Sequence, residues 1–352
     1  MCEIRDNVCQ TEALKYQKLK FKPFKMVFGF ISAFFRRLYL TIIDLYTLPE
    51  LRPMLFGFMK QRLLGGGANI EKVHDGHGGI VSTLFVDGVP LPPFPSLRSN
   101  LRQIDKFQVR SDDIWIVNWP KSGTHWMWEV VMMLSSGQAQ LRDSVKVGAM
   151  FPEACTLQAT EKMTSPRVLD THVPFKLFPK AALKSKIIYT VRNPKDACVS
   201  AYHHQKGMAV HNKVSWEGTF ELVTNGKAHY GDWFDHVEEW LKVLENNPNA
   251  LIVTYEDMKM DLKKQVRRVA EFLGYKRSEK FYDDVAKLCS FGNMKKEKRD
   301  IKSAWSKESA GIYRKGTVGD WKNYFTVAQN EKFNEIYNRR MKNINLDLKF
   351  EL

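Results

Sequence analysis

A chain of 352 residues that is 44% hydrophobic and 26% charged can bury a proper core, which excludes a wholly disordered protein. Its formal charge of +15 and pI of about 9.4 point to an anionic ligand, an anionic membrane or nucleic acid; no nucleic-acid-binding motif appears, so nucleic acid is not expected as a partner. Five scattered cysteines (Cys2, Cys9, Cys155, Cys198, Cys289) without CxxC spacing argue against a disulfide framework and a zinc site, and for a reducing compartment.

Residues 1–76 read as a basic, partly apolar N-terminal extension that ends in a Gly-rich linker. Residues 1–70 carry 11 Lys/Arg against 5 Asp/Glu, a net of +6. The apolar run Met26–Phe35 is followed by Arg36 and Arg37, so it is too short and too charged for a membrane span, which needs roughly 20 apolar residues. Two readings stay open. One is an amphipathic helix docked on the main domain. The other is a peripheral membrane helix within residues 15–45, with Lys18, Lys20, Lys22, Lys25, Arg36 and Arg37 near anionic lipid. Gly65-Gly66-Gly67, Gly76 and Gly78-Gly79 read as the flexible link into a main domain over 77–352.

Phe85–Phe94 has Asp-Gly turn chemistry and several prolines, and Leu97–Phe107 suits a short helix. The apolar run Ile114–Val117 predicts a buried parallel strand. The chain then breaks at Pro120, turns through Lys121-Ser122-Gly123 and enters the helical run Trp126–Leu134. Strand, tight loop and helix start make an anion site, because the first amides of a helix lack intrahelical acceptors and its dipole favours negative charge. Lys121 adds a cation; Ser122 and Thr124 add hydroxyl donors. The loop is not a Walker A loop, which needs GxxxxGK[ST].

Asp170-Thr-His-Val-Pro174 places His172 at a strand end, and a histidine there suits a general base. Lys186–Val191 predicts a second buried strand. It runs into Arg192-Asn-Pro-Lys-Asp196, a helix start with Pro at an early position and an acid in the first turn. Ser200 lies about two helical turns in, so the Arg192 fork and its hydroxyl can converge on one anion. His203 and His204 follow without an acidic or Cys partner at ligand spacing, so no metal is expected. Tyr230-Gly-Asp-Trp233 and Val237–Leu244 read as helix. Leu251–Asp257 predicts a third buried strand, with Asp257 capping a helix over Met258–Phe272 that stops at Gly274. Late in the chain, Arg314-Lys315-Gly316 sets two cations beside a residue that lets backbone approach a ligand closely.

The spelling Trp-Pro-Lys-Ser-Gly-Thr-x-Trp at 119–126, the Thr-His-x-Pro of 171–174, the Arg-Asn-Pro-Lys-Asp…Ser segment and the Arg-Lys-Gly-x-x-Gly-Asp-Trp-Lys of 314–322 together resemble the cytosolic sulfotransferases, in that family's order. The resemblance covers roughly Leu84 to the C-terminus. It implies a single α/β domain, a central parallel sheet flanked by helices, related to the P-loop kinases. It implies transfer of a sulfonate group from 3′-phosphoadenosine 5′-phosphosulfate (PAPS) to a hydroxyl or amine of a small-molecule acceptor, without a metal and in the cytoplasm.

By the same resemblance, Lys121, Ser122, Gly123, Thr124, His125 and Trp126 form the 5′-phosphosulfate loop, with Lys121 stabilising the transition state and His172 acting as base. Arg192, Ser200, Arg314, Lys315 and Gly316 hold the 3′-phosphate, with Ser200 counted among the catalytic set. Trp126, Tyr255 and Phe291 frame the adenine; Cys289 stands where the family has Thr. Phe151, Asp170 and His204 fall on acceptor-side positions. Many members have Lys where this chain has Asp170, and a carboxylate there could favour a cationic acceptor. Lys322–Glu331 fits the KxxxTVxxxE segment through which many relatives form a modest homodimer. The alternatives are a PAPS-binding or PAP-binding interaction protein (PAP is the desulfated product, 3′-phosphoadenosine 5′-phosphate) and a P-loop-type nucleotide kinase.

Overall fold

The computed structural model describes residues 70–142, 150–208, 211–297 and 312–352. The extension before residue 70, including residues 15–45 and Gly65–Gly67, lies outside them.

A small antiparallel sheet comes first: β1 (Ile70–His74), β2 (Ile80–Val86) and β3 (Val89–Leu91), in that order. The sequence reading treated Gly76, Gly78 and Gly79 as part of a flexible link. Instead they belong to the connection of the β1–β2 hairpin, where the Asp75 carboxylate accepts from the amides of His77 (2.8 Å) and Gly79 (2.7 Å). The turn Asp87-Gly88 then joins β2 to β3.

Helix α1 (Leu97–Arg102) leads to β4 (Ile114–Val117), α2 (Thr124–Ser136), α3 (Leu157–Glu161), β5 (Val168–Thr171), β6 (Lys186–Val191) and α4 (Pro194–Gly207). There follow α5 (Trp216–Thr224), α6 (Trp233–Leu244), β7 (Ala250–Thr254), α7 (Tyr255–Met260), α8 (Leu262–Leu273), α9 (Glu279–Leu288), α10 (Phe291–Glu297) and α11 (Val327–Met341). Strands β4 to β7 form one parallel sheet in the order β5-β4-β6-β7.

The pleat explains why these strands read as unbroken apolar runs. Trp115, Val117, Leu169, Ile187 and Tyr189 point into one core, against Cys198 of α4 and Val237 and Trp240 of α6. Ile114, Ile116, Val168, Ile188 and Val253 point into the other, against Met127, Val130 and Leu134 of α2 and Val266 and Val269 of α8. Both faces are covered, so alternation disappears.

One expected helix is two. Thr254, not Asp257, caps α7 by accepting from the amide of Asp257 (3.0 Å). The chain breaks at Asp261, whose side chain caps α8 through the amide of Lys264 (2.9 Å), and α8 ends at left-handed Gly274. The chain's last residues pack back beside the sheet. The carbonyls of Lys349 and Phe350 accept from Asn193 Nδ2 (3.1 Å) and Trp321 Nε1 (2.7 Å).

The entry into the sheet is pinned by a fully buried ion pair. Arg167 gives Asp113 two bonds, Nε to Oδ1 at 2.7 Å and Nη2 to Oδ2 at 2.5 Å, and its backbone carbonyl accepts from the Ile114 amide. Removing one member strands the other charge in the core. Arg167→Met should therefore lower unfolding free energy by about 3–5 kcal/mol, read by urea titration.

Candidate functional site

From β4 the chain moves to one side of the sheet, to β5; from β6 it moves to the other, to β7. The crevice between the C-terminal ends of β4 and β6 is therefore the switch point where open α/β sheets bind ligands. Residues 118–123 leave β4 there, and Arg192 and Asn193 leave β6.

The first loop is held by Asn118, which is fully buried. Its side chain donates to Thr190 Oγ1 (2.8 Å) and accepts from Thr124 Oγ1 (2.9 Å), so it ties the loop to β6 and to the first residue of α2. Lys121 takes a left-handed φ of 71°, which a non-glycine residue adopts only when its surroundings enforce it. Gly123 (φ 103°) starts α2, and a Cβ there would press on the Tyr255 ring at 3.2 Å. Lys121 Nζ lies 3.4 Å from His204 Nδ1. An ammonium only donates, so that nitrogen accepts; burial first, then Lys121, holds His204 well below the usual histidine range.

The second cluster surrounds Arg192. Its guanidinium lies over Tyr255 (4.2 Å to the ring centre) and donates to the carbonyls of Lys121 (3.4 Å) and Thr317 (3.1 Å). It thus joins the loop after β4 to the segment 314–321. Tyr255 meets Trp126 edge to face at 5.3 Å, and His125 meets Tyr313 at 6.4 Å. Arg314 and Lys315 (2.6 Å for Lys315) both bind the Asp320 carboxylate. Burial would raise Asp320, but the bonds from Lys315 and Arg314 outweigh it and hold it down to about 2. Gly316 has no room for a side chain, since a Cβ would stand 2.1 Å from the Phe291 ring. Ser200 sits part-exposed on α4, and no hydrogen bond joins it to Arg192 among the described residues.

Three buried donors here have no hydrogen-bond partner among the described residues: Ser122 Oγ, Trp126 Nε1 and Arg192 Nε. Buried donors in native folds are normally satisfied, so such a group needs a ligand or water. With the helix start, Lys121 and the Arg314–Lys315 pair, the donor set fits a ligand that carries two separated anionic groups and an aromatic ring.

His172 lies just past β5 and is held through its Nδ1, its ring faces and its backbone. Its ring Nδ1 is 3.0 Å from the Asn118 carbonyl, which can only accept. The Nδ1 proton is therefore committed, and Nε2 is the basic nitrogen. Phe151 (5.5 Å) and Tyr230 (5.2 Å) flank the ring edge to face. Glu153 Oε1 accepts from the His172 amide at 2.8 Å, and His236 Nε2 reaches the His172 carbonyl at 3.2 Å, while the Tyr189 hydroxyl is bound to His236 Nδ1. Sequence reasoning gave no role to Asn118, Glu153, Tyr230 or His236. Only Asn118 left a signal, a polar residue ending an apolar strand.

Asp170 is fully buried within β5. Burial, offset in part by the His172 amide and reinforced by Asp170, raises the Glu153 carboxyl to about 8.

Among the described residues no group of His, Cys, Asp and Glu could hold a metal, and no helix is long and apolar enough to cross a membrane. The family model "Sulfotransferase domain" matches residues 111–345. Human sulfotransferase 1C2 is 36% identical over 275 residues, 73% of this chain and 93% of that protein. Human sulfotransferase 2A1 is 35% identical over 277 residues, 75% of this chain and 97% of its own length. The crystal structure of mouse sulfotransferase SULT7A1 complexed with PAP superposes with a TM-score of 0.63 at 31% identity, and the match covers 75% of this chain and 95% of that one.

The Glu153 shift fixes the sign of a pH effect. Between the ordinary carboxyl value of 4.5 and about 8 the folded chain holds a proton that the unfolded chain has lost. Stability from this group is thus full below 4.5 and falls as pH rises, at most about 1.4 kcal/mol per pH unit. Glu153→Gln keeps an acceptor for the His172 amide and does not titrate. Urea unfolding between pH 5 and 8 should show the variant gaining on wild type as pH rises.

Proposed function

The chain belongs to the sulfotransferase family, and from that premise we propose that Lys121 and His172 drive sulfonate transfer to a small-molecule hydroxyl or amine, within a catalytic domain that adds β1 to the expected span 77–352. The chain is a PAPS-dependent sulfotransferase. What supports the residue roles is Asn118, whose carbonyl meets the His172 ring and whose side chain ties the β4 end to Thr124 at the start of α2, on either side of the loop that carries Lys121.

PAPS, when bound, supplies a sulfonate already activated by its phosphate leaving group. The buried donors that have no partner among the described residues suit it. Ser122, Gly123, Thr124 and His125 present the start of α2 to the 5′-phosphosulfate. Arg192, Ser200, Arg314, Lys315 and Gly316 hold the 3′-phosphate, which distinguishes PAPS from ATP. Trp126, Tyr255 and Phe291 take the adenine, aromatic faces suited to stacking on a base.

The acceptor oxygen forms its bond to sulfur as the bond from sulfur to the phosphate oxygen breaks. His172 Nε2 removes the acceptor proton, because Nδ1 is already held by the Asn118 carbonyl. Lys121 and the amides of α2 stabilise the negative charge that grows on the leaving phosphate oxygen. Phe151 and Tyr230 flank the ring of His172 and His204 accepts from Lys121, which supports Phe151 and His204, with Asp170, as the proposed acceptor-side residues.

A kinase reading has no such support, since Lys121 precedes Gly123 and the Walker A glycines are missing.

Lys121→Ala and His172→Ala should each lower kcat by about 10²-fold or more, measured with radiolabelled PAPS against phenols, steroids, aliphatic alcohols and amines. Near-normal turnover by either variant would remove the role given to it. Calorimetry with PAP should show binding for wild type and for His172→Ala alike. The segment Lys322–Glu331 is also proposed as a homodimer contact, where Val327 is 76% exposed at the start of α11. Sedimentation should show a concentration-dependent dimer that Val327→Glu abolishes; a monomer at all concentrations would refute it.

A further inference from the structure

Asp196 lies in the first turn of α4, where its place in the sequence suggests no more than a favourable charge at a helix start. That task is already met by Asn193, whose side chain accepts from the Asp196 amide at 2.9 Å. The Asp196 carboxylate is turned to something else. It is 1% exposed, and its two oxygens receive two backbone amides from 123 and 125 residues further on: Gly319 N at 2.8 Å and Trp321 N at 2.9 Å. Asn193 Nδ2 adds a third donor at 3.0 Å, and the Arg192 guanidinium approaches to 3.9 Å.

The residue between those two amides is Asp320. Its carboxylate holds Arg314 and Lys315. The path is therefore short: Asp196 fixes the backbone on both sides of Asp320, and Asp320 fixes the two cations. On its other side Asp196 faces Arg192, whose Nη2 also reaches the same loop at the Thr317 carbonyl. One buried carboxylate thus joins the cations at the end of β6 to those of a segment more than 100 residues later.

We propose that Asp196 is a positioning residue: its carboxylate latches loop 314–321 onto the start of α4 before any nucleotide arrives, and so sets where Arg314 and Lys315 stand. The latch is internal to the chain and rests on hydrogen bonds to a charged acceptor, which are among the stronger ones available. The link to the phosphate rests on the roles proposed above for Arg314 and Lys315; the latch itself does not.

Asp196→Asn tests it, because an amide has one acceptor where the cradle needs two and turns an N–H toward the other amide. Three readouts apply to the full chain. Without nucleotide, limited trypsin cleavage after Arg314 and Lys315 should rise at least about tenfold, since proteolysis follows the population of the open loop. PAP affinity by calorimetry should weaken by about 10- to 100-fold, as expected for losing one or two charge-assisted bonds. The KM for PAPS should rise while kcat at saturation changes little, because Asp196 touches no reacting atom. A folded Asp196→Asn chain with wild-type cleavage and wild-type PAP affinity overturns the proposal. Should the variant fail to fold, hydrogen exchange on wild type decides: the Gly319 and Trp321 amides should be protected without nucleotide, and exchange as fast as an exposed loop refutes the latch. Absence of PAP binding by wild type, with the loop still protected, would count against the PAPS reading alone.

Discussion

The site depends on where one buried amide is held. Asn118 uses its side chain to join β6 and the start of α2, and its carbonyl to orient the ring of His172. Its own amide reaches the Thr171 carbonyl at the end of β5 at 3.3 Å. Three strand ends and a helix start therefore converge on a single residue. The imidazole proposed as the base and the loop that carries the proposed cation, Lys121, are placed by the same scaffold. Preorganised dipoles of this kind need not rearrange as charge develops, which is where electrostatic stabilisation gains its size.

The cations around the crevice bring their own anions. Arg192 faces Asp196, and Arg314 and Lys315 share Asp320. Bare clusters of like charge repel and destabilise a fold. Here the repulsion is offset inside the chain, and the cations are aimed rather than free to swing. The histidine behind Lys121 completes the pattern: kept neutral by burial, His204 accepts from the ammonium instead of opposing it.

Much of this was legible from residue order. The strands at 114–117 and 186–191 were readable because a sheet covered on both faces demands uninterrupted apolar runs. The loop at 119–126, His172 and Arg192 were readable because each follows such a strand, where ligands collect. The β1–β2 hairpin was not, since glycines spell a turn and a linker alike, and the register that tells them apart comes from partners in space. The break at Asp261 was hidden inside an apolar period that a second cap continues almost in phase. Beyond Asn118 and Phe151, the surroundings of His172 could not be read. Glu153 comes from one segment and Tyr230 and His236 from another, and nothing local in either announces a neighbour so far along the chain.

The tail beside the sheet has a practical meaning. The carbonyls of Lys349 and Phe350 are the acceptors for Asn193 and Trp321, residues that flank the Arg192 and Asp320 ends of the crevice. The Phe350 ring also packs on Tyr337 of α11 at 5.1 Å. Trimming a few residues there would remove two hydrogen-bond acceptors from beside the proposed nucleotide cradle, far from any motif that would warn an engineer. A version of this chain cut before Lys349 would therefore lose both acceptors.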